Sequence, residues 1–492
     1  MPPARDSSRP EDQHLSLGAY AAYGLQHVLT MYGGIVAVPL ILGQAAGLPV
    51  ADTGLLITAS LFAAGLATLL QTLGVPFFGC QLPLVQGVSF SGVATMVAIL
   101  AGGYPGGGIP AVLGAVMASA LLGLFITPVF SQVIRFFPPL VTGTVISIIG
   151  LTLLPVAGRW AMGGNSHGAD FGSMANIGLA AMTLVIVLAL SKVGSALLSR
   201  LSILLAMVIG TVIAWALGMA DFSQVGQGGA FALPTVLHFG MPTFHVAAIV
   251  SMLIVIMVTL VETSADILAV GEILQTRIDA RRLGDGLRAD MLSSLLAPLV
   301  GSFTQSAFAQ NVGLVAVTGV KSRFVVASGG VFLVGLGLLP VVGRVVAAVP
   351  SAVLGGAGVV LFGTVAASGI RTLARVDYRN NMNLIIVATA LGVGMLPIAA
   401  PNFYDRFPQW VATIFHSGIS AAALVAIVLN LLFNHWLRGN PAQASVIVAG
   451  RERTLCYRDV AALNDGDYFV GGKLYDAEGN EVPLNPENRE QH

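Results

Sequence analysis

Residues 81–92 read QLPLVQGVSFSG, and residues 304–313 read TQSAFAQNVG. Each is a polar stretch at the head of an otherwise apolar segment. A helix that crosses a bilayer needs about 20 apolar residues in a row. The first stretch breaks that pattern with a polar, proline-containing run. The second leads into a segment, 310–320, that is too short to cross unaided. Lipid tolerates such interruptions only where backbone N–H and C=O groups are satisfied by other protein, by cavity water or by a bound solute. Two interrupted segments in one chain therefore point to non-helical backbone at membrane depth and to a binding site there.

The rest of the chain supplies the membrane setting. Of 492 residues, 55% are hydrophobic and only 9% charged, whereas a soluble domain carries about a quarter charged residues. The 59 glycines suit helices that pack closely in lipid. Fourteen apolar segments are readable, at 17–42, 54–74, 84–101, 110–131, 139–157, 174–191, 199–218, 245–270, 287–302, 310–320, 324–345, 348–369, 381–399 and 411–436. The fold class read from them is an all-α polytopic membrane protein. The opening MPPARDSSRPEDQH is polar, and no cleavable signal peptide is expected from it.

Charge placement supports the count. With both termini inside, 20 of the 23 basic residues fall on the inner side, leaving Arg159, Arg344 and Arg406 outside. The positive-inside rule expects that asymmetry. The net charge of zero suggests no nucleic-acid partner. Cys80 and Cys456 lie in unlike surroundings, one among membrane segments and one in a polar tail, so no structural disulfide is expected.

Fourteen segments divide into seven and seven. Seven is odd, so the second half runs inverted relative to the first. The interrupted segments are the third and the tenth, the same place in each half. Paired breaks of this kind are the best sequence pointer to a transporter's binding site. The expected organisation is a tail at 1–16, a first repeat at 17–218, an extracytoplasmic connection at 219–244, a second repeat at 245–436 and a polar tail at 437–492. That last tail carries a turn signal, Asp-Ala-Glu-Gly-Asn, at 476–480.

Ionisable residues inside spans cost roughly 2.5–3.5 kcal/mol each on insertion scales and need a reason to be there. Glu262 and Asp266 stand four apart in the eighth segment and share a helix face. Two carboxylates on one face suit proton coupling, because mutual repulsion raises the affinity of one of them for a proton. Glu262 can also accept N–H groups of a solute. The bland alternative is a carboxylate satisfied by hydroxyls such as Thr263. Asp290 reads equally well as a first-turn acid or as part of a proton-linked pair. Gln26 and His27 lie in the first segment, and a lone histidine gives no metal site. Gln310 and Asn311 stand in a small, apolar run, where a glutamine amide matches the N–H/C=O edge of a lactam. Phe90, between Ser89 and Ser91, can stack on a flat heterocycle or simply pack.

These residues resemble the nucleobase–ascorbate transporters. QNVGLVAVTG at 310–319 fits the family signature, and Gln26–His27, the stretch Glu262 to Asp266, and Asp290 are further matches. The likeness extends over about 17–436. It implies a uracil-permease-type fold with fourteen transmembrane segments in two inverted repeats and short strands in segments 3 and 10. A core of spans 1–4 and 8–11 would move against a gate of spans 5–7 and 12–14. It implies that Glu262 and Gln310 hold a purine, that Phe90 stacks on it, and that Ser89 and Asn311 complete the binding site. Asp266, Asp290, His27 and Gln26 would organise the site and its proton linkage. It further implies a homodimer in a bacterial inner membrane, with both termini cytoplasmic, surrounded by lipid and needing neither cofactor nor metal. The run at 310–330 is similar to bacterial uric acid permeases. Ser89, where xanthine-selective relatives tend to carry asparagine, leaves room for the C8 oxygen of urate.

Other readings stay open at this point. An anion transporter or exchanger of the same fold is one, and a symporter for uracil or another nucleobase is another. An enzyme would need a nucleophile–base pair or a metal-ligand set, and neither is readable.

Overall fold

A computed structural model describes residues 9–130, 138–166, 168–193, 195–223, 225–226, 229, 231–378, 381–436, 467–470, 473–476 and 481–482. Eight of the basic residues assigned to the inner side (Arg5, Arg135, Arg379, Arg438, Arg451, Arg453, Arg458 and Arg489) lie outside the described residues, as do residues 477–480 of the expected turn.

Up to Val446 the chain forms one compact unit of helices. The first half contains α1 (Leu17–Ala45), α2 (Val50–Leu73), β1 (Gln86–Val88), α3 (Val93–Ala101), α4 (Ile109–Ile126), α5 (Pro139–Ala161), α6 (Met174–Val193) and α7 (Ser202–Ala216). The second half contains α8 (Val246–Leu274), α9 (Ala280–Leu296), β2 (Gln305–Ala307), α10 (Ala309–Thr318), α11 (Arg323–Gly337), α12 (Ser351–Leu373), α13 (Asn381–Ala399) and α14 (Gly418–Asn430). Among the described residues, eight helices are long and apolar enough to cross a bilayer alone. A ninth is gained if α11 and its continuation, Pro340–Ala347, count as one span bent by 80°. Pro340 lacks the N–H that an unbroken helix would need, which accounts for the bend.

The helices sort into two packed groups. α1, α2 and α11 pack together, and α4 packs on α8 and α9. α5 lies along α12, with α6, α7, α13 and α14 around that pair. Small residues let the α5 and α12 backbones touch. A Cβ on Gly150 would overlap the Ala366 backbone, and one on Gly369 would overlap Ser147.

Two elements differ from the sequence expectation. The ninth segment, read at 287–302, starts earlier, at Ala280. Asp279 caps it by accepting the Arg282 N–H at 2.7 Å. Asp290 therefore lies deep within α9, not in a first turn. The N-terminal tail is also more than a polar leader. Glu11, in a short helical turn at Pro10–Asp12, is fully buried. It accepts the Arg282 guanidinium at 2.6 Å and the Thr276 hydroxyl at 3.3 Å. Arg282 also donates to the Cys80 and Gln81 carbonyls, at 2.6 and 2.9 Å. Asp12 accepts Arg323 Nε at 2.7 Å, and Arg323 Nη1 reaches the Thr72 carbonyl at 2.9 Å. The strap thus ties together the ends of α2, α8, α9 and α11.

The second unit, Ile447–His492, holds a small antiparallel sheet of β3 (Tyr468–Val470), β4 (Lys473–Tyr475) and β5 (Glu481–Val482), in the order β3-β4-β5.

Candidate functional site

β1 and β2 pair antiparallel, with Gln86 opposite Ala307, Gly87 opposite Ser306 and Val88 opposite Gln305. The ladder extends one bond further at each end. Ser89 N–H donates to the Thr304 carbonyl at 2.8 Å, and Phe308 N–H to the Val85 carbonyl at 3.1 Å. Each strand then turns into a half-helix, α3 or α10, so two helix N-termini start beside one buried two-stranded ribbon. Residues 301–308 and 82–93 are buried throughout.

A neighbouring helix clasps each strand through a hydroxyl. Thr68 on α2 accepts the Gln86 N–H at 2.9 Å and donates to the Gln86 carbonyl at 3.4 Å. Ser294 on α9 accepts the Gln305 N–H at 2.8 Å and donates to the Gln305 carbonyl at 3.3 Å. The clasp satisfies strand groups that the two-stranded ribbon leaves unpaired, as burial requires.

α8 lies across this ribbon with a polar stripe at Thr259, Glu262, Thr263 and Asp266, spaced as one helix face. Ser91 Oγ lies 2.9 Å from Thr259 Oγ1 and 2.5 Å from Ser89 Oγ. The same Ser91 hydroxyl faces the Glu262 carboxyl. Glu262 and Asp266 remain partly exposed. Asp290 is buried and accepts the Thr263 hydroxyl at 2.6 Å, and the Ala307 N–H donates to Thr263 Oγ1 at 3.3 Å. Asp266 lies close enough to both Glu262 and Asp290 for their charges to interact.

On the other wall, Gln310 is exposed in the first turn of α10, whereas Asn311 is buried. The Asn311 side chain accepts the Val85 N–H at 3.1 Å and donates to the Pro83 carbonyl at 2.9 Å. It binds the chain that enters β1 and presents nothing outward. Buried His27 lies against Asn311, its Nδ1 without a partner. Gln26 is partly exposed, and its carbonyl accepts the Thr30 hydroxyl at 2.8 Å. The Phe90 ring meets Phe308 at 6.4 Å and, edge-on, Phe362 of α12 at 6.1 Å. Phe90 therefore sits where the two helix groups meet.

The structure thus brings Ser89, Phe90, Glu262, Asp266, Asp290 and Asn311 around one ribbon, with Gln310 at its open edge. Thr259, Thr68, Ser294 and Gln86 belong to the same cluster and were not singled out from the sequence. Thr259 was findable there, three residues before Glu262 on the same face. Among the described residues, no group of three or more His, Cys, Asp or Glu could hold a metal.

Comparison with known proteins follows this geometry. A family model described as a permease family (Xan_ur_permease) matches residues 18–403. The chain is 38% identical over 439 residues to the uric acid transporter UacT of Escherichia coli strain K12, covering 88% of this chain and 90% of the relative. It is 39% identical over 417 residues to a xanthine permease of Bacillus subtilis strain 168, covering 85% and 94%. Among solved structures, the transmembrane domain of the cyanobacterial bicarbonate transporter BicA matches with a TM-score of 0.55 at 16% identity, over 86% of this chain and 99% of that one. The murine Slc26a9 anion transporter, inward-facing, matches with a TM-score of 0.57 at 13% identity, over 85% and 69%. At that identity the likeness concerns the fold.

Proposed function

This chain belongs to the nucleobase–ascorbate transporter family of permeases, and from that premise we propose that it imports a purine, uric acid ahead of xanthine, together with protons. It is a transporter and not an enzyme. The observation that carries the reading is the meeting of Glu262 with the Ser91 turn beside the β1–β2 ribbon. A partly exposed carboxylate faces the start of one half-helix, and an exposed Gln310 heads the other. Together they offer acceptors for purine N–H groups and a paired donor and acceptor for a lactam edge. Phe90 is placed to stack once the Phe362 edge contact opens. The names of the relatives support a purine, since they include a uric acid transporter and a xanthine permease.

In this reading fourteen spans form two inverted repeats. The matched clasps Thr68–Gln86 and Ser294–Gln305 support that, since they recur at the same place in each half. The α5–α12 group would rock as a gate against the core that holds both half-helices. The skew of basic residues supports cytoplasmic termini in a bacterial inner membrane. The fold neighbours raise a second reading, an anion exchanger. Glu262 and Asp266 speak against it, because sulfate or bicarbonate would meet two carboxylates with little N–H to offer them.

The test is uptake of labelled uric acid and xanthine by cells lacking their own purine permeases. Saturable uric acid uptake supports the reading. Xanthine uptake alone would remove the role given to Ser89, and no purine uptake from well-expressed protein would remove the site assignment.

A further inference from the structure

Asp290 is buried, and only one of its carboxyl oxygens is satisfied. Thr263 donates to Oδ2, and Oδ1 has no partner. The Gln86 side chain lies beside the same carboxyl, is equally buried, and closes no hydrogen bond with either amide atom. One turn along α2 from Thr68, Gln71 is a second fully buried amide with both polar atoms unpaired. It reaches α9 at Gly286, one turn from Asp290. Buried polar groups without partners cost free energy, and an amide with both ends free is rare.

These open valences fit one another through a single proton. A carboxylic acid at Asp290 donates from Oδ1 to Gln86 Oε1 while Oδ2 still accepts from Thr263. A carboxylate instead accepts from Gln86 Nε2 after the amide turns over. The amide can thus follow the charge, because it carries a donor and an acceptor side by side. The equivalent residue on β2 cannot. Gln305 Nε2 is already committed to the Phe303 carbonyl at 2.8 Å and the Ser302 hydroxyl at 3.3 Å.

We propose that Gln86 is a positioning residue for the transport cycle, an amide on β1 that bonds the proton-bearing group Asp290 and reports its charge to the strand leading into Ser89 and Phe90. The proposal rests on the transporter reading above. The titratable groups facing Asp290 are Asp266 from α8, which itself neighbours Glu262, and Cys80 from the loop before β1. Neither β2 nor α4 carries one, and the single acid of α2, Asp52, pairs with His238 at the helix's far end. Turnover of Gln86 therefore answers to the proton on Asp290 and to the charges of Asp266 and Cys80 beside it.

The test is infrared difference spectroscopy on the purified, full-length protein across pH, a readout independent of substrate. A protonated Asp290 gives a carboxyl C=O stretch, identified by its loss in Asp290→Asn. In Gln86→Leu that band should move to higher frequency, as for a carboxyl that has lost a hydrogen bond. Gln86→Asn, which keeps an amide but withdraws it by one methylene, should move it the same way and serves if the leucine variant does not fold. Purine uptake by the same variants should lose on the order of 10-fold in maximal rate, about one hydrogen bond, with KM unchanged and the pH profile displaced. A band unmoved in the folded variants, or no band assignable to Asp290 at any pH, would overturn the proposal. A shifted band in a protein that carries no purine would sink the substrate reading and leave the pairing standing.

Discussion

The two strand–helix units are built alike and finished differently. Each strand begins with a glutamine whose backbone is clasped by a hydroxyl from a neighbouring helix, Thr68 for Gln86 and Ser294 for Gln305. Beyond that clasp they part. Gln305 spends its amide locally, on Phe303 and Ser302, while Gln86 leaves both amide atoms beside Asp290. The first unit buries Ser89 and Phe90 against α8 and α12, and the second exposes Gln310. A shared ribbon joins the two half-helices, and the differences point to separate work for each. On this account the second unit grips the solute, and the first links that grip to buried Asp290 and the acids of α8.

Between the two strand–helix units, the largest expected effect separates neighbours on the second. Asn311→Ala removes two buried hydrogen bonds and strands the Val85 N–H and the Pro83 carbonyl. It should cost about 2–3 kcal/mol of stability, read as a lowered thermal midpoint of the purified protein. Gln310→Ala should leave that midpoint in place and raise KM for the purine about 10-fold. Equal destabilisation by both would erase the distinction between holding the fold and holding the solute.

A smaller effect distinguishes the paired strand residues Gly87 and Ser306. A Cβ on Gly87 would overlap the Phe308 ring and lie 3.1 Å from Ile35. Gly87→Ala should therefore cost roughly 1–3 kcal/mol by overpacking, and Ser306→Ala should cost less. Purine uptake should fall with Gly87→Ala, because a displaced Phe308 ring would disturb its contact with Phe90. The smallest contrast is between the clasps. Thr68→Val and Ser294→Ala each unpair one buried N–H, worth about 1–2 kcal/mol. Thr68→Val should be the costlier, since only Gln305 has a side chain otherwise anchored.

Much of this was legible in the sequence. Every apolar segment that was read contains helix, and the polar interruptions at 81–92 and 304–313 hold the two strands. The polar stripe on α8 follows from helical spacing. What was hidden had local causes. The start of α9 lies in the charged run ARRLGDGLR, which no hydropathy reading assigns to a membrane helix. Thr68 and Ser294 look like ordinary small residues in apolar runs, because their role depends on strands far away in sequence. Glu11 reads as a solvated tail charge until Arg282, more than 270 residues later, is seen beside it. Separating that buried pair by Glu11→Ala should cost about 3–5 kcal/mol, seen as a loss of thermal stability.

The most direct test of the central claim is proton movement driven by the purine itself. The protein would be reconstituted into vesicles enclosing a pH-sensitive dye, with uric acid added outside. The account predicts acidification of the lumen that saturates with uric acid and is absent with Glu262→Gln. Uric acid entry without acidification, or acidification undiminished by Glu262→Gln, would contradict it.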